Sequence, residues 1–243
     1  MELIVTENFS ESSRIAADIF EKAIAQKPDS LLGLATGSSV TEIYKKFAAD
    51  CKCGRVDFSN CKSINVDEYM GISKVHPQSF AYFMHENLFE KTNFKSDNIY
   101  LVDGAGDEES ETSHYNEFLA SKRIDVLLLG VGANGHVGFN EPGNKLTASA
   151  HTVALSKETI EANARFFCSK DEVPKKAFTM GIRDIVKARK TVLIAFVNAK
   201  AQALKSLFEG DEVDPNLPCS VLKLCADATV IIDMQLAKAA GLR

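Results

Sequence analysis

The chain has 243 residues, 45% of them hydrophobic and 25% charged, with a formal net charge of −5. These are the values of a soluble globular protein with room for a large core. The acidic balance argues against nucleic acid and anionic membranes as partners, since both select for a basic patch, but an anionic small molecule needs only a few local cations. No stretch approaches the roughly 18 continuous apolar residues of a membrane span. The start, Met1-Glu2-Leu3-Ile4-Val5-Thr6, has no basic region followed by a long apolar segment. A cytoplasmic protein is expected, with Cys51, Cys53, Cys61, Cys168, Cys219 and Cys225 reduced. Cys51-Lys52-Cys53 and Cys61 lack a fourth ligand at zinc-ribbon spacing, so no metal site is expected there.

In chain order, residues 3–5 read as a short strand. Residues 10–27 read as a helix with Ile15, Ile19, Phe20, Ala23 and Ile24 on its apolar face. A second strand over 31–35 ends in Thr36-Gly37-Ser38-Ser39. The helix after it carries Ile43, Tyr44 and Phe47, and Ser39 with Glu42 has capping-box spacing, which predicts Ser39 as its N-cap. Residues 63–66 form a third strand ending in Asp67-Glu68-Tyr69. A loop with Gly71 and Pro77 then leads to an aromatic-rich helix over 79–90, a strand over 99–102 and an acidic-started helix over 107–121. Residues 126–129, Val-Leu-Leu-Leu, read as a strand buried on both faces. After Pro142-Gly143 the text is polar and irregular up to a short helix over 157–166. Strands are expected over 177–180, 191–197 and 228–232, a helix over 199–208, and a short Ala/Leu tail. This alternation predicts a single α/β domain over 1–243, a mostly parallel sheet with helices on both faces.

Three polar clusters sit at strand ends, where open α/β sheets bind ligands. Thr36-Gly37-Ser38-Ser39 lies at a helix start, where backbone N–H groups and the helix dipole favour a phosphate, although no Walker Gly-Lys-Ser/Thr is present after it. Asp67-Glu68-Tyr69 ends a buried strand, and a carboxylate shielded there has a raised pKa suited to a general base. The third cluster, Gly130-Val131-Gly132-Ala133-Asn134-Gly135, formally matches the dinucleotide fingerprint. The chain then runs through His136 and Gly138 to Asn140-Glu141-Pro142-Gly143 instead of opening a helix, and no second strand about twenty residues on ends in an acid. A nicotinamide cofactor is therefore not expected. His136, set between glycines, is the titrating group of this loop, and Glu141 is a candidate partner.

These motifs closely resemble the glucosamine-6-phosphate deaminase family. The resemblance rests on Leu34-Ala35-Thr36-Gly37-Ser38, Asn65-Val66-Asp67-Glu68-Tyr69 and the run from Gly130 through His136-Val137-Gly138-Phe139-Asn140-Glu141-Pro142. It continues at Ala162-Asn163-Ala164-Arg165-Phe166-Phe167, Thr179-Met180-Gly181-Ile182 and Asn198-Ala199-Lys200-Ala201, in the same order along essentially the whole chain. It implies a three-layer Rossmann-like fold and conversion of glucosamine 6-phosphate and water to fructose 6-phosphate and ammonia, with no metal or organic cofactor. Asp67 then matches the general base, His136 the residue that assists ring opening, and Glu141 its acidic partner. Asn134 stands where some members have an aspartate; it cannot titrate and is left to orient His136 or the substrate. Substrate binding carries over to Thr36, Gly37, Ser38, Ser39, Gly135, Arg165 and Lys200, with Arg165 in an active-site lid over 145–170.

Regulated members carry basic residues soon after Asn-Glu-Pro. The positions here are His151 and Val153, and the tail after Ile232 is short, which predicts an unregulated form. The resemblance leaves the oligomeric state open, a homo-oligomer included. It also leaves open the galactosamine 6-phosphate epimer as substrate. A 6-phosphogluconolactonase is disfavoured because its loop reads Gly-His-Thr-Ala-Ser-Leu-Phe-Pro. A non-catalytic sugar-phosphate sensor is disfavoured because no DNA-binding module is visible.

Overall fold

The computed structural model describes residues 1–242, apart from the side chains of Glu158 and Ala162. The first half of the chain runs β1 (Glu2–Thr6), α1 (Phe9–Gln26), β2 (Leu31–Leu34), α2 (Thr41–Lys52), β3 (Lys62–Asn65), β4 (Asp67–Tyr69), α3 (Phe80–Asn87), β5 (Ile99–Tyr100) and α4 (Glu108–Ala120). The second half runs β6 (Val126–Leu129), β7 (His151–Ala154), α5 (Lys157–Asn163), β8 (Lys176–Thr179), α6 (Ile182–Lys187), β9 (Lys190–Ala195), α7 (Ala201–Phe208), β10 (Ala228–Asp233) and α8 (Met234–Ala240). Side chains cap several of these helices as their sequences dictate: Asn8 accepts from the Glu11 N–H at the start of α1, and Asp107 from the Ser110 N–H at the start of α4.

Seven strands form one all-parallel sheet in the order β1-β10-β9-β6-β2-β3-β5. The Val-Leu-Leu-Leu run of β6 lies in its middle with every residue buried, as its composition requires. The chain steps from β1 through α1 to β2 in one direction and from β9 through α7 to β10 in the other. Parallel crossovers are right-handed, so helices of the two directions cover opposite faces. The strand order reverses between β6 and β2. At such a reversal, loops leaving the carboxyl ends of adjacent strands part and leave a crevice.

The mostly parallel sheet is as expected, and a second, smaller sheet is added to it. Residues 67–69 and 176–179 do not extend the parallel sheet. With β7 they form a three-stranded antiparallel sheet in the order β4-β8-β7. The polar stretch read as irregular contains β7, whose His-Thr-Val-Ala text is half-buried and lacks the apolar run that marks a core strand. Along β8, Phe178 joins the main core, while Ala177 joins a separate small cluster with Tyr69, Phe139 and Leu155. Alternation along a strand produces this split.

The entrance to β7 is held by α4. Asn116 Nδ2 donates to the Ala150 carbonyl at 2.8 Å, and the Ala150 N–H donates to Asn116 Oδ1 at 2.9 Å. Thr152 donates to Glu108 on the same helix. We expect Asn116→Ala to lower the stability of the protein by about 1–3 kcal/mol, because it strands both backbone groups of Ala150. A lower urea midpoint at unchanged m-value is the expected signature.

Candidate active site

The crevice at the strand-order reversal is a cleft of about 590 Å³. Four adjacent strands of the sheet, β9, β6, β2 and β3, deliver polar groups to it from their carboxyl ends. Thr36, Gly37, Ser38, Ser39, Asp67, Asn134, His136, Arg165 and Lys200 all line it. Topology alone brings these groups, scattered along most of the chain, to one wall.

At one end, Gly37 turns the chain with φ 100°, a conformation that favours glycine. Ser39 does not cap α2 as its spacing predicts. The helix begins at Thr41, without a capping side chain. The Ser39 hydroxyl instead accepts from Lys200 Nζ at 3.0 Å. Lys200 arrives on the turn after β9, and burial pulls its pKa down to about 8. The turn begins at Val197, with φ 82° the one residue other than glycine in the left-handed region among the described residues. Arg165, in the turn after α5, lays its guanidinium over the Phe166 ring at 4.7 Å. Helix-start N–H groups, hydroxyls and two cations from separate segments make up this part of the cleft, chemistry suited to an anion.

At the other end stands the carboxylate pair. Successive side chains of β4 point to opposite faces, so Asp67 and Tyr69 line the cleft while Glu68 turns away. Glu68 Oε1 accepts from the N–H groups of Tyr69 and Phe80 at 2.8 and 2.9 Å, and Oε2 from that of Ala81 at 2.8 Å, which seats it on the start of α3. Burial pushes Glu68 up to about 7 against those three donors. Asp67 is 9% exposed, and burial together with the neighbouring Glu68 charge pushes it up to about 8. A carboxyl group poised there exchanges protons readily near neutral pH.

The glycine loop follows β6, between the strands that deliver Lys200 and residues 36–39. It opens no helix: Gly135 N–H returns to the Gly132 carbonyl, and Gly132 N–H binds the His136 carbonyl. The His136 ring lies directly over Gly132, where any Cβ would stand 2.4 Å from it. Gly135 faces away from the cleft, toward Leu217 and Cys219. Glu141 lies behind His136. Its Oε2 accepts from Asn134 Nδ2 at 2.8 Å and stands 3.6 Å from His136 Nδ1, an ion-pair distance too long for a hydrogen bond. Burial pushes Glu141 up, but His136, Thr159 and Asn134 outweigh it and hold the carboxyl below its usual range.

No motif points to Thr159, which lines the cleft and donates to Glu141 Oε1 from α5. Nor does one point to the aromatic wall, where Phe80 and Phe139 stack at 5.9 Å and Tyr69 meets Phe167 edge-on at 5.9 Å. The aromatic richness of 79–90 is its one signal in the sequence. Among the described residues, no group of three or more His, Cys, Asp or Glu side chains is placed to hold a metal, and no helix is long and apolar enough to cross a membrane. The six cysteines are unpaired.

Comparison with known proteins agrees with this geometry. The family model described as glucosamine-6-phosphate isomerases/6-phosphogluconolactonase matches residues 9–231. A glucosamine-6-phosphate deaminase of Thermoanaerobacter pseudethanolicus is 45% identical over 239 residues, covering 98% of this chain and 94% of the relative. One of Clostridium beijerinckii is 44% identical over 241 residues, covering 98% and 99%. A solved structure described as a monomeric glucosamine-6-phosphate deaminase superposes with a TM-score of 0.95 at 37% identity, covering 98% of this chain and all of that one. A 6-phosphogluconolactonase of Trypanosoma cruzi superposes with a TM-score of 0.79 at 18% identity, covering 98% and 96%, a likeness of fold alone. With a family model over nearly its whole length and relatives above 40% identity from end to end, the chain belongs to the glucosamine-6-phosphate isomerase/6-phosphogluconolactonase family, on its glucosamine-6-phosphate deaminase branch.

Proposed function

We propose that the protein converts glucosamine 6-phosphate and water to fructose 6-phosphate and ammonia in amino-sugar catabolism, in the cytoplasm, where phosphorylated sugars are used. The observation that carries this reading is the make-up of one cleft, in which hydroxyls and cations suited to a phosphate, from residues 36–39, Lys200 and Arg165, share the lining with the proton-transfer groups Asp67 and His136. A hexose phosphate bound through C6 presents C1 and C2 to the proton-transfer groups.

The reaction divides into proton transfers that these groups supply. His136, backed by Glu141, takes the proton of the anomeric hydroxyl and delivers one to the ring oxygen, which opens the ring. Asp67 removes the C2 proton, and the resulting enolamine is protonated at C1, leaving an imine at C2. Water adds to that carbon and ammonia leaves, so the atoms of sugar and water are all accounted for. Positioning and general acid–base catalysis suffice, without a metal or organic cofactor.

The segment 145–170 is read as the lid. Its first strand, β7, is fixed by β8 and α4, so the moving part is α5 with the turn that bears Arg165. Closure places the guanidinium on the phosphate. The reading is of an unregulated enzyme that works as a monomer. It is supported by the monomeric description of the structural neighbour and by Val153 and the half-buried His151, whose Nδ1 is engaged with the Ser149 carbonyl at 2.9 Å.

Purified protein is expected to release ammonia from glucosamine 6-phosphate with chelator present, faster than from galactosamine 6-phosphate and without hydrolysing 6-phosphogluconolactone. The kinetics should be hyperbolic and unchanged by N-acetylglucosamine 6-phosphate. Asp67→Asn should lower kcat by about 10²–10⁴-fold; ammonia release at the parent rate by that variant would remove Asp67 as the base.

The pH profile of kcat/KM should be a narrow bell centred near 8. Asp67 must be ionised to act as base, so activity is lost as pH falls below its pKa of about 8. Lys200 must be protonated to hold phosphate, so activity is lost as pH rises above its own value of about 8. In Lys200→Arg the alkaline limb should move up and the acid limb stay in place. Arg165→Ala should raise KM for the phosphosugar by about 10–100-fold, the loss of charge-assisted hydrogen bonds of about 1.5–3 kcal/mol. An unchanged KM would exclude Arg165 from the phosphate site.

A further inference from the structure

Thr159 joins two parts of the site that are otherwise separate. Glu141 is gripped from both sides. Asn134 Nδ2, on the glycine loop, donates to Oε2 at 2.8 Å. The Thr159 hydroxyl, on α5, donates to Oε1. Thr159 is itself 6% exposed and well seated: its N–H donates to the Ser156 hydroxyl at 3.1 Å, the capping contact of α5. The helix leads directly into the turn that carries Arg165. One short segment therefore holds both the Arg165 guanidinium and the one contact to Glu141 Oε1 among the described residues.

We propose that Thr159 is a positioning residue that couples the two ends of the cleft, so that the His136–Glu141 pair is aligned for ring opening only when α5 is seated with Arg165 on the phosphate. The proposal rests on the function assigned above. The physical reason is geometric. A carboxylate held at one oxygen swings about that contact; held at both, it is fixed. His136 Nδ1 is 3.6 Å from Oε2 and has no hydrogen-bond partner of its own, so the small movement that brings the pair into contact depends on how Glu141 is oriented. A displacement of about 1 Å at a reacting group is enough to cost about 10²-fold in rate. A phosphosugar that seats α5 thus completes its own acid–base pair, and a sugar without phosphate leaves it slack.

The electrostatic surroundings make the effect readable. Among the described residues His136 is the basic group within 4 Å of the Glu141 carboxylate. The other titratable groups on the cleft wall are Asp67, Tyr69, Arg165 and Lys200. On α5 itself, Glu161 pairs with Lys170 at 2.7 Å, and Lys157 acts on Glu161. The hydroxyl donated by Thr159 favours the ionised form of Glu141, which is held below its usual range and so well under the Asp67 value of about 8, and a fall in kcat in a Thr159 variant therefore reports position and not titration.

Thr159→Val keeps the side-chain shape and removes the donor, and Thr159→Ser keeps the donor. In Thr159→Val we expect kcat to fall at least about tenfold with KM changed by less than about twofold, and the acid limb, set by Asp67, to stay in place. In Thr159→Ser we expect kcat to return to within about threefold of the parent. Parent kcat in Thr159→Val overturns the proposal, as does a rise in KM alone. A serine variant as impaired as the valine one also overturns it, because that outcome marks a packing role. If the parent protein releases no ammonia, it is the function that fails, and the coupling is read from the imidazole NMR resonances of His136 on saturation with inorganic phosphate. A larger shift in the parent and Thr159→Ser than in Thr159→Val supports the coupling, and equal shifts in all three overturn it.

Discussion

The anchoring of Glu68 is the constraint on which the rest of the site depends. Its carboxylate takes two backbone N–H groups at the start of α3 and that of Tyr69 in its own strand, and this fixes the short strand β4 against that helix. Because side chains alternate along a strand, fixing Glu68 on one face presents Asp67 to the cleft on the other. The same buried charge, one residue away, adds to the desolvation that lifts Asp67. Two adjacent acids thus sit differently: one is committed to hydrogen bonds that satisfy a helix start, and the other is left without such donors, where burial raises its proton affinity into the near-neutral range. Exchanging their environments would exchange their roles.

The glycine loop is a second case in which an absence of side chain makes chemistry available. Gly132 leaves room for the His136 ring to lie over the backbone, and Gly138, with φ 56°, passes close to Thr179 and Val66. The loop is further pinned by Asn140, whose amide donates to the carbonyls of Val137 and Met180 at 2.9 Å each. A motif with the spacing of a dinucleotide fingerprint is used here for close packing of an imidazole, not for the approach of a pyrophosphate. The two uses differ in the next stretch of chain, which is a tight polar loop here and the first turn of a helix in the fingerprint.

Much of this is legible in the amino-acid sequence because the main sheet writes itself in apolar runs. Val126–Leu129 and the strands around it are long enough, and apolar enough, to show without help. The polar clusters at their ends are visible for the same reason, as sharp changes of character. The small sheet is visible only at 177–180, which reads as a strand. Its other two strands, β4 and β7, mix charged or polar side chains with apolar ones, and β7 has no apolar run. Ser39 misleads because its spacing to Glu42 satisfies a local rule, while a long-range partner, Lys200, takes the hydroxyl instead. Thr159 is out of reach for a related reason: a threonine on a short polar helix carries no mark of the carboxylate it meets after folding.

The division of apolar side chains between two clusters bears on how the molecule moves. The main core holds the seven parallel strands and their helices. The small one, built on Tyr69, Phe139, Leu155 and Ala177 with Phe80, Ile160 and Phe167 against it, lies beneath α5. Local opening is governed by how much apolar contact a cooperative unit must give up. The covering segment of the cleft is held by a few aromatic contacts that the central sheet does not share. The lid proposed above therefore has only these contacts to give up in opening, and none of those that hold the seven parallel strands.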